Sequence, residues 1–594
     1  MLRVWERVAI LGALLSMPVA LVSVAVGYRW WSRQLEPEPR LILQRPVVAQ
    51  PDPIELIMRA WREPAPELVL AFSGQMYGYL QPCGCARPQV GGLERRYELV
   101  QRLRQAGWPV IGFDLGDLGR LHHEIKQGVL ALPQQSRLKY EIAWRMLHKL
   151  DWQVVGIGPE ELLFPLEEVF GFALNTKPPV LVCTNLNDPD MLQAGAYVRW
   201  FVCELPSQSH SSGQKPPSLP KIPTEFLQPT PIPALRRAWR IACLAVLQES
   251  ELSKIRKQLT HEEQLWKRFL PVETALTDAW QQLSKNRPDL VILLHHGTAE
   301  EARALASRFD WLHVVLSRDL SDVASSVAEP LPSPIQSASR LPPLFKERLV
   351  VRVGHKGKAL GLVAVRRDSA QPTPLPANTS FYRLDYRMVE LTEHFELPGE
   401  KTNAIRELMK EYVEQVYMRD FLKEWVTHRK VSHPQQLEHP QAAFVGVQAC
   451  AECHKNACQI WNNSKHSQAY AALVKYGQPQ TTSTHNGRTM VIGRQYDPEC
   501  LICHTTGFEY KTGFRNERET PHLFANGCEN CHGPASLHVQ FPNEPRYWQP
   551  LKRAAEMMKS ACRACHDSEN DPHFDFAKYW PKIAHKKDPP QSSP

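Results

Sequence analysis

Short apolar runs and helical patterns take turns through the first two thirds of the chain. Residues 67–72 (ELVLAF), 110–113 and 154–156 are compact apolar runs, and residues 93–106, between the first two, repeat their apolar positions at helical spacing. Strand, helix, strand in that order predicts an α/β layer. The pattern resumes at 180–186 and 242–247, passes through a charged helix around 263–285 and reaches a buried-strand run at 290–294. Residues 349–365 (LVVRVGHKGKALGLVAV) alternate on both sides of His355-Lys356-Gly357, a hairpin signal. Helices are expected over 400–428 and, amphipathically, from 457 to about 474. In the second of these, His466, Tyr470 and Leu473 share one face.

Polar and proline-rich stretches divide these elements. Residues 34–66 read as a spacer, 206–233 and 330–343 as surface insertions, and 430–441 as a polar linker. Residues 8–28 form an uncharged apolar run of about the twenty residues that cross a hydrocarbon core, although Pro18 interrupts it. Arg3 and Arg7 precede the run, and Arg29, Arg33, Trp30 and Trp31 follow like an interfacial belt. An uncleaved anchor is expected in preference to a signal peptide, whose apolar region is shorter. Either reading exports the chain to the periplasmic, extracytoplasmic side, and the anchor ties it to the inner membrane.

With 594 residues the chain is too long for one core, and three or four domains are expected. Apolar content of 43% and charged content of 22% are ordinary for globular protein. The formal charge of +8 would suit nucleic acid or an anionic surface. Nothing in the chain resembles a nucleic-acid module, and the chemistry below supplies a different balance for that charge.

Four segments share one pattern: Cys450-Ala-Glu-Cys453-His454, Cys500-Leu-Ile-Cys503-His504, Cys528-Glu-Asn-Cys531-His532 and Cys562-Arg-Ala-Cys565-His566. Two thiols three residues apart can both reach the vinyl groups of one haem, and the adjacent histidine is then placed as an axial ligand to its iron. With 14 cysteines and 23 histidines in the chain, a chance match is expected on the order of 0.01 times. The competing reading is paired CxxC zinc sites, which do not require a histidine after each pair. Four haem c groups bring about eight propionate charges, which would offset the basic excess.

A second axial ligand is expected for some of these irons. Besides the motif histidines, the region holds His466, His485, His522, His538, His573 and His585, with Met490, Met557 and Met558 as weaker candidates. His538 follows His532 by six residues, too short a loop to pass around a porphyrin, so it is expected to serve a neighbouring haem. His585 stands in aromatic and apolar company (YWPKIAH).

The segments VGVQACAECHKNACQIWNNSKHSQA (445–469), CLICHTTGF, GCENCHGPASLH and YWPKIAH resemble the tetrahaem cytochromes c of the nitrifying type, electron acceptors of hydroxylamine oxidoreductase. The resemblance covers residues 442–585 and implies three bis-histidine haems and one five-coordinate haem. It implies His466, His538 and His585 as the distal ligands and points to the haem of Cys500, Cys503 and His504 as the open one. Cys458 departs from the family, which more often has an aromatic residue there.

The middle region, FSGQMYGYLQPCGCARPQVGGLERR (72–96) followed by Phe113-Asp-Leu-Gly116-Asp117, looks like the start of a calcineurin-type metallophosphatase of the 5′-nucleotidase branch. Gly156-Ile-Gly158-Pro159-Glu160-Glu161, Cys183-Thr-Asn185 and Leu293-Leu-His295-His296-Gly297 continue the match in order. Such enzymes hold two metals on Asp, His and Asn ligands. Here the expected Asp-x-His reads Gln75-Met76-Tyr77, the Asn-His pair reads Pro159-Glu160, and the last Gly-His-x-His block has no counterpart near VVLSRDL (314–320). Asp117 and His295 survive, too few for a dinuclear site, so a non-hydrolytic domain is expected. Cys83 and Cys85 are too close together for an unstrained disulfide with each other, so metal binding or pairing with other cysteines is expected. With Cys183, Cys203, Cys243 and Cys458 they make an even number compatible with disulfides, although Cys183 and Cys243 suit buried thiols equally well.

The expected organisation is a multidomain one. Residues 1–33 form an anchor, 34–66 a linker and 67–430 an α/β four-layer metallophosphatase-like domain. Residues 431–441 form a second linker, and 442–594 a mainly α-helical, loop-rich tetrahaem cytochrome c domain. The function expected is electron transfer to and from redox partner proteins. The alternatives are a haem enzyme acting on a small nitrogen compound and a 5′-nucleotidase-like phosphatase with a redox appendage.

Overall fold

The computed structural model describes residues 52–585, apart from 83–88, 121–132, 206–236, 258–262, 320, 322–325, 333–343, 369–380, 398–400, 429, 477–479, 486–487, 554, 568–569 and 572–573. The apolar run expected to anchor the chain, residues 8–28, lies outside the described residues, as do Cys83 and Cys85. Among the described residues no helix is long and apolar enough to cross a membrane.

Thirteen strands build two sheets. They are β1 (Leu68–Ser73), β2 (Val110–Asp114), β3 (Trp152–Gly156), β4 (Val180–Val182), β5 (Trp200–Leu205), β6 (Trp239–Leu247), β7 (Leu290–His296), β8 (Val314–Ser317), β9 (Glu329–Pro332), β10 (Leu344–Phe345), β11 (Glu347–Arg352), β12 (Ala359–Arg367) and β13 (Phe381–Glu390). The first sheet runs β10-β13-β12-β1-β2-β3-β4 and the second β5-β6-β7-β8-β11-β9. Parallel pairs fill both centres; in the first sheet β12 runs antiparallel to β1 and β13, with β10 and β4 joined in parallel at the edges, and in the second sheet β5 and β9 close the edges antiparallel. Central strands covered on both faces must be apolar on both, which is why they read as continuous runs.

The two-residue period of a strand sorts those side chains into layers. Along β1, Leu68, Leu70 and Phe72 meet Ile241, Ile292, Leu294 and Val314 of the second sheet. Val69 and Ala71 face the other way, onto Leu99, Leu103, Trp144 and Leu147 of the helices Leu93–Gln105 and Pro133–Lys149. On the far side, Ala242, Leu244 and Val246 of β6 pack under Leu276, Ala279, Leu283 and Leu305. Helix, sheet, sheet, helix is the four-layer order expected of this region.

The run at 349–365 is not a hairpin. β11 pairs with β8 and β9 in one sheet, and β12 pairs with β1 and β13 in the other. The residues between carry the chain across the sandwich, with Gly354, Lys356 and Gly357 at φ of 73°, 59° and 62°. Alternating polarity is the same whichever sheet a strand joins, so the pattern alone does not distinguish the two. The long helix expected at 400–428 is broken into Ala404–Met418 and Phe421–His428 at Asp420, whose φ is 51°. The helix expected from 457 is also divided, into Lys455–Asn462, a 3₁₀ turn Lys465–Gln468 and Ala469–Tyr476. Ser464 starts the turn by accepting the His466 N–H at 3.2 Å.

The described residues from Pro53 onward form one compact unit. The core on the helix side of the first sheet continues through Tyr412 and Trp425 into Phe444, Leu501, Phe508 and Phe514, so the sandwich and the cysteine-rich region share apolar contacts. Within 431–441, read as linker from composition, the helix Pro434–Glu438 is capped by His433, and Val431 bridges to Tyr510. From 442 onward the described chain is short helices joined by loops, with one hairpin, Thr481–His485 against Arg488–Ile492.

Candidate functional site

Each of the four motifs uses a single turn of helix. Cys450 lies in Val447–Ala451, Cys500, Cys503 and His504 in Pro498–His504, Cys528, Cys531 and His532 in Cys528–His532, and Cys562 in Ala555–Arg563. Residues three apart on such a turn share a face, so paired thiols project together. The His454 and His566 amides donate to the carbonyls of Cys450 and Cys562 at 2.9 and 2.8 Å, continuing the turn through the histidine. The motifs also meet one another. The Cys450 thiol contacts that of Cys528, which with burial pushes Cys528 up. Burial, with Cys562 and Cys565 nearby, pushes Cys531 up to about 12.

The histidines are brought together in pairs drawn from distant parts of the region. The ring centroids of His454 and His538 are 6.1 Å apart, those of His466 and His566 also 6.1 Å, and those of His532 and His585 5.9 Å. Two imidazoles binding one metal ion from opposite sides, each at about 2 Å, set their centroids about 6 Å apart. Every pair combines a motif histidine with one of the three histidines singled out by sequence, and His538 faces His454 and not the His532 six residues before it. Burial pushes His466, His504, His532 and His538 down, toward the neutral imidazole that ligates metal. The residues present therefore fit haem c.

In three of the motif histidines the second ring nitrogen is held by an acceptor. His504 Nδ1 meets the Ala469 carbonyl at 2.6 Å, His532 Nδ1 the Leu551 carbonyl at 2.7 Å, and His566 Nδ1 the buried Asp571 carboxylate at 2.7 Å. A held Nδ1 fixes the tautomer and leaves Nε2 for a metal. Among the described residues no imidazole faces His504. His522 is exposed, Met557 is exposed and Met558 buried, His573 lies outside the described residues, and for His485 and Met490 only the backbone is described.

At the carboxyl ends of the central strands the sandwich gathers a second constellation, and its composition differs from a metal centre. Gln75 Nε2 donates to the Tyr77 hydroxyl at 2.7 Å. Asp117 is fully buried and accepts the Glu160 amide at 2.9 Å. His296, rather than the His295 expected from sequence, faces it, with Nδ1 3.8 Å from Oδ2. His295 lies 3.2 Å from Gln248 Nε2, and burial and His296 push it down to about 3. Burial and Asp117 push Glu160 up to about 8. Burial also pushes Glu161 up, although three backbone N–H groups, from Gly158, Asp117 and Leu118, donate to it. Arg318, which sequence reasoning passed over, interacts here with Tyr77, Asp117 and Glu251. The only sign of it in the sequence is an arginine within VVLSRDL, where a metal-binding histidine block was sought. Among the described residues no cluster of three or more His, Cys, Asp or Glu is arranged to hold a metal ion. Cys183, Cys203 and Cys243 are free thiols.

The family model of cytochrome c554 and c-prime matches residues 449–533. Cytochrome c-554 of Nitrosomonas europaea is 34% identical over 96 residues, 16% of this chain, and the chain spans 39% of that relative's length. Among solved structures, the 5′-nucleotidase precursor of Thermus thermophilus is similar at 15% identity and a TM-score of 0.42, covering 74% of each chain. A calcineurin-like phosphoesterase of Bacillus subtilis is similar at 12% identity and a TM-score of 0.39, over 59% of this chain and 97% of the other.

Proposed function

We propose that this chain is a membrane-tethered, extracytoplasmic cytochrome that carries four covalently bound haems and passes electrons to and from redox partner proteins. In this reading the eight motif cysteines hold the haems, and His454, His504, His532 and His566 are their proximal ligands. His538, His466 and His585, which face His454, His566 and His532, would supply the second ligands. A bound haem supplies an iron that alternates between two oxidation states. The protein supplies position: acceptors on Nδ1 orient His504, His532 and His566. Contact between motifs would bring the groups they hold close to one another, since Cys450 meets Cys528 and Cys531 neighbours Cys562 and Cys565. His504 is tied to Ala469, three residues beyond the partner of His566.

The observation that carries the reading is the set of three imidazole pairs at 5.9–6.1 Å, each joining parts of the chain far apart in sequence. The tether rests on residues 8–28 of the sequence. Arg318, standing among Tyr77 and Asp117, favours a sandwich that does not hydrolyse phosphoesters. A second reading, an enzyme acting on a small nitrogen compound, is favoured by His504, which faces no imidazole among the described residues and would offer a bound iron one ligand of its own.

A pyridine haemochrome assay should give four haems per chain, and two or fewer would defeat the proposal. Paramagnetic resonance of the oxidised protein should show three low-spin irons and one high-spin. Four low-spin irons would remove the open site and with it the enzymatic reading.

A further inference from the structure

Arg494 lies where the sandwich meets the second haem motif. It opens the 3₁₀ turn Arg494–Tyr496 that leads into the helix Pro498–His504. Its Nε points at Cys500 Sγ, 3.3 Å away, its Nη1 donates to Gln81 Oε1 of the sandwich at 2.8 Å, and its Nη2 stands 3.1 Å from the Asp497 carboxylate. Its guanidinium carbon is 5.9 Å from the Tyr412 ring. The sandwich grips the same spot from two further positions, since Gln135 donates to Asp497 at 2.9 Å and Lys139 pairs with Glu499. Against the cost of desolvation, Asp497 first, then Cys500 and Tyr412, hold the guanidinium charged.

We propose that Arg494 is a positioning residue that raises the reduction potential of the haem carried by Cys500 and Cys503. The inference rests on the reading that this motif carries a haem. Reduction adds one electron, delivered by a neighbouring haem or a redox partner, and removes one positive charge from the iron with no proton required. A fixed cation beside the attachment cysteine would favour the reduced form, and its partial burial limits screening by solvent and salt. Asp497 partly offsets that field, but it meets the guanidinium at Nη2 while Nε touches the sulfur. The haem motif is thereby tuned from outside its own sequence: Gln81, Gln135 and Lys139 belong to the sandwich, which gains a role that needs no hydrolysis.

The test is a spectropotentiometric titration of the full-length protein loaded with haem. The component of this motif is identified as the one missing from a Cys503→Ser chain. Arg494→Gln should lower the reduced-to-oxidised ratio of this haem about tenfold at fixed ambient potential, equivalent to about 59 mV for one electron. Arg494→Lys should stay near wild type. Asp497→Asn, which keeps a helix-capping side chain, should shift the same haem in the opposite direction. Simple loosening of the structure would move both variants the same way, and that result, or no shift in either, overturns the proposal. If Arg494→Gln does not accumulate, the sign of Asp497→Asn still decides. A wild-type chain whose second motif holds no haem by mass defeats the functional reading and this inference together. A loaded motif that does not respond defeats the inference alone.

Discussion

At the scale of single residues, the partner of a ligand matters as much as the ligand. His504 and His532 offer Nδ1 to neutral carbonyls, whereas His566 offers it to the buried Asp571 carboxylate. A carboxylate draws the proton and makes the ring a stronger donor to iron, which stabilises the oxidised state. On the proposed reading, Asp571→Asn should therefore raise the potential of a haem held at Cys562 and Cys565 and leave haem at the other motifs in place, as measured by potentiometry. No shift would reduce Asp571 to a structural contact. His433 gives a prediction in pH. It is buried, and its Nδ1 accepts the Gln435 amide at 3.2 Å, which requires the neutral ring. Burial, with Arg553 second, pushes it down to about 4, against about 6.5 in an unfolded chain. The folded state then binds this proton less readily. Its stabilisation is complete above about pH 6.5 and is lost as pH falls toward 4, on the order of 2–3 kcal/mol. His433→Asn keeps a capping side chain without the titration, so its denaturant midpoint should fall less over that interval. Parallel acid limbs in the two proteins would exclude the role.

At the scale of elements, the motifs are held together by backbone contacts that no spacing rule announces. Glu529, between the two cysteines of Cys528–Cys531, accepts N–H groups from Val445, Gly446 and Ala535 at 2.8–3.0 Å. One carboxylate thus joins the approach to the first motif to the third and to the loop that carries His538. Glu529→Gln retains one acceptor oxygen and should cost about 2 kcal/mol, read as a lower urea midpoint with haem content unchanged. An unchanged midpoint would show that the clamp is not needed. The elements themselves were legible wherever a period was long enough. β1, β2, β6 and β7 fall on their apolar runs because buried parallel strands leave no other pattern. The assignment of β11 and β12 to separate sheets was not legible, because their alternation is satisfied by either sheet. The break at Asp420 was hidden for a related reason: a polar residue in the left-handed region interrupts a helix without disturbing its apolar stripe.

At the scale of the whole molecule, the chemistry was legible and its surroundings were not. The CxxCH spacing is a local signal, and so are the contexts of His466, His538 and His585. The contacts that join sandwich to haem region link residues hundreds of positions apart, and only the fold brings them together. Gln135 donates to both Tyr412 and Asp497, Trp425 stacks on Phe508 at 5.6 Å with ring planes 11° apart, and Lys430 donates to the carbonyls of Phe508, Tyr510 and Phe514. One apolar core runs through this junction. Parts that share a core lose it together, because exposing one side strands the other. Thermal unfolding followed by far-ultraviolet circular dichroism, weighted to the sandwich, and by Soret absorbance, weighted to the haems, should therefore give coincident midpoints. Trp425→Ala removes a buried aromatic from the junction, at a cost of about 3–5 kcal/mol, and should lower both midpoints by the same amount. If the two signals separate by many degrees in the wild type, or if the substitution moves one and spares the other, sandwich and haem region are independent folding units. The shared contacts would then be an interface between two stable bodies and not the common core that their packing indicates.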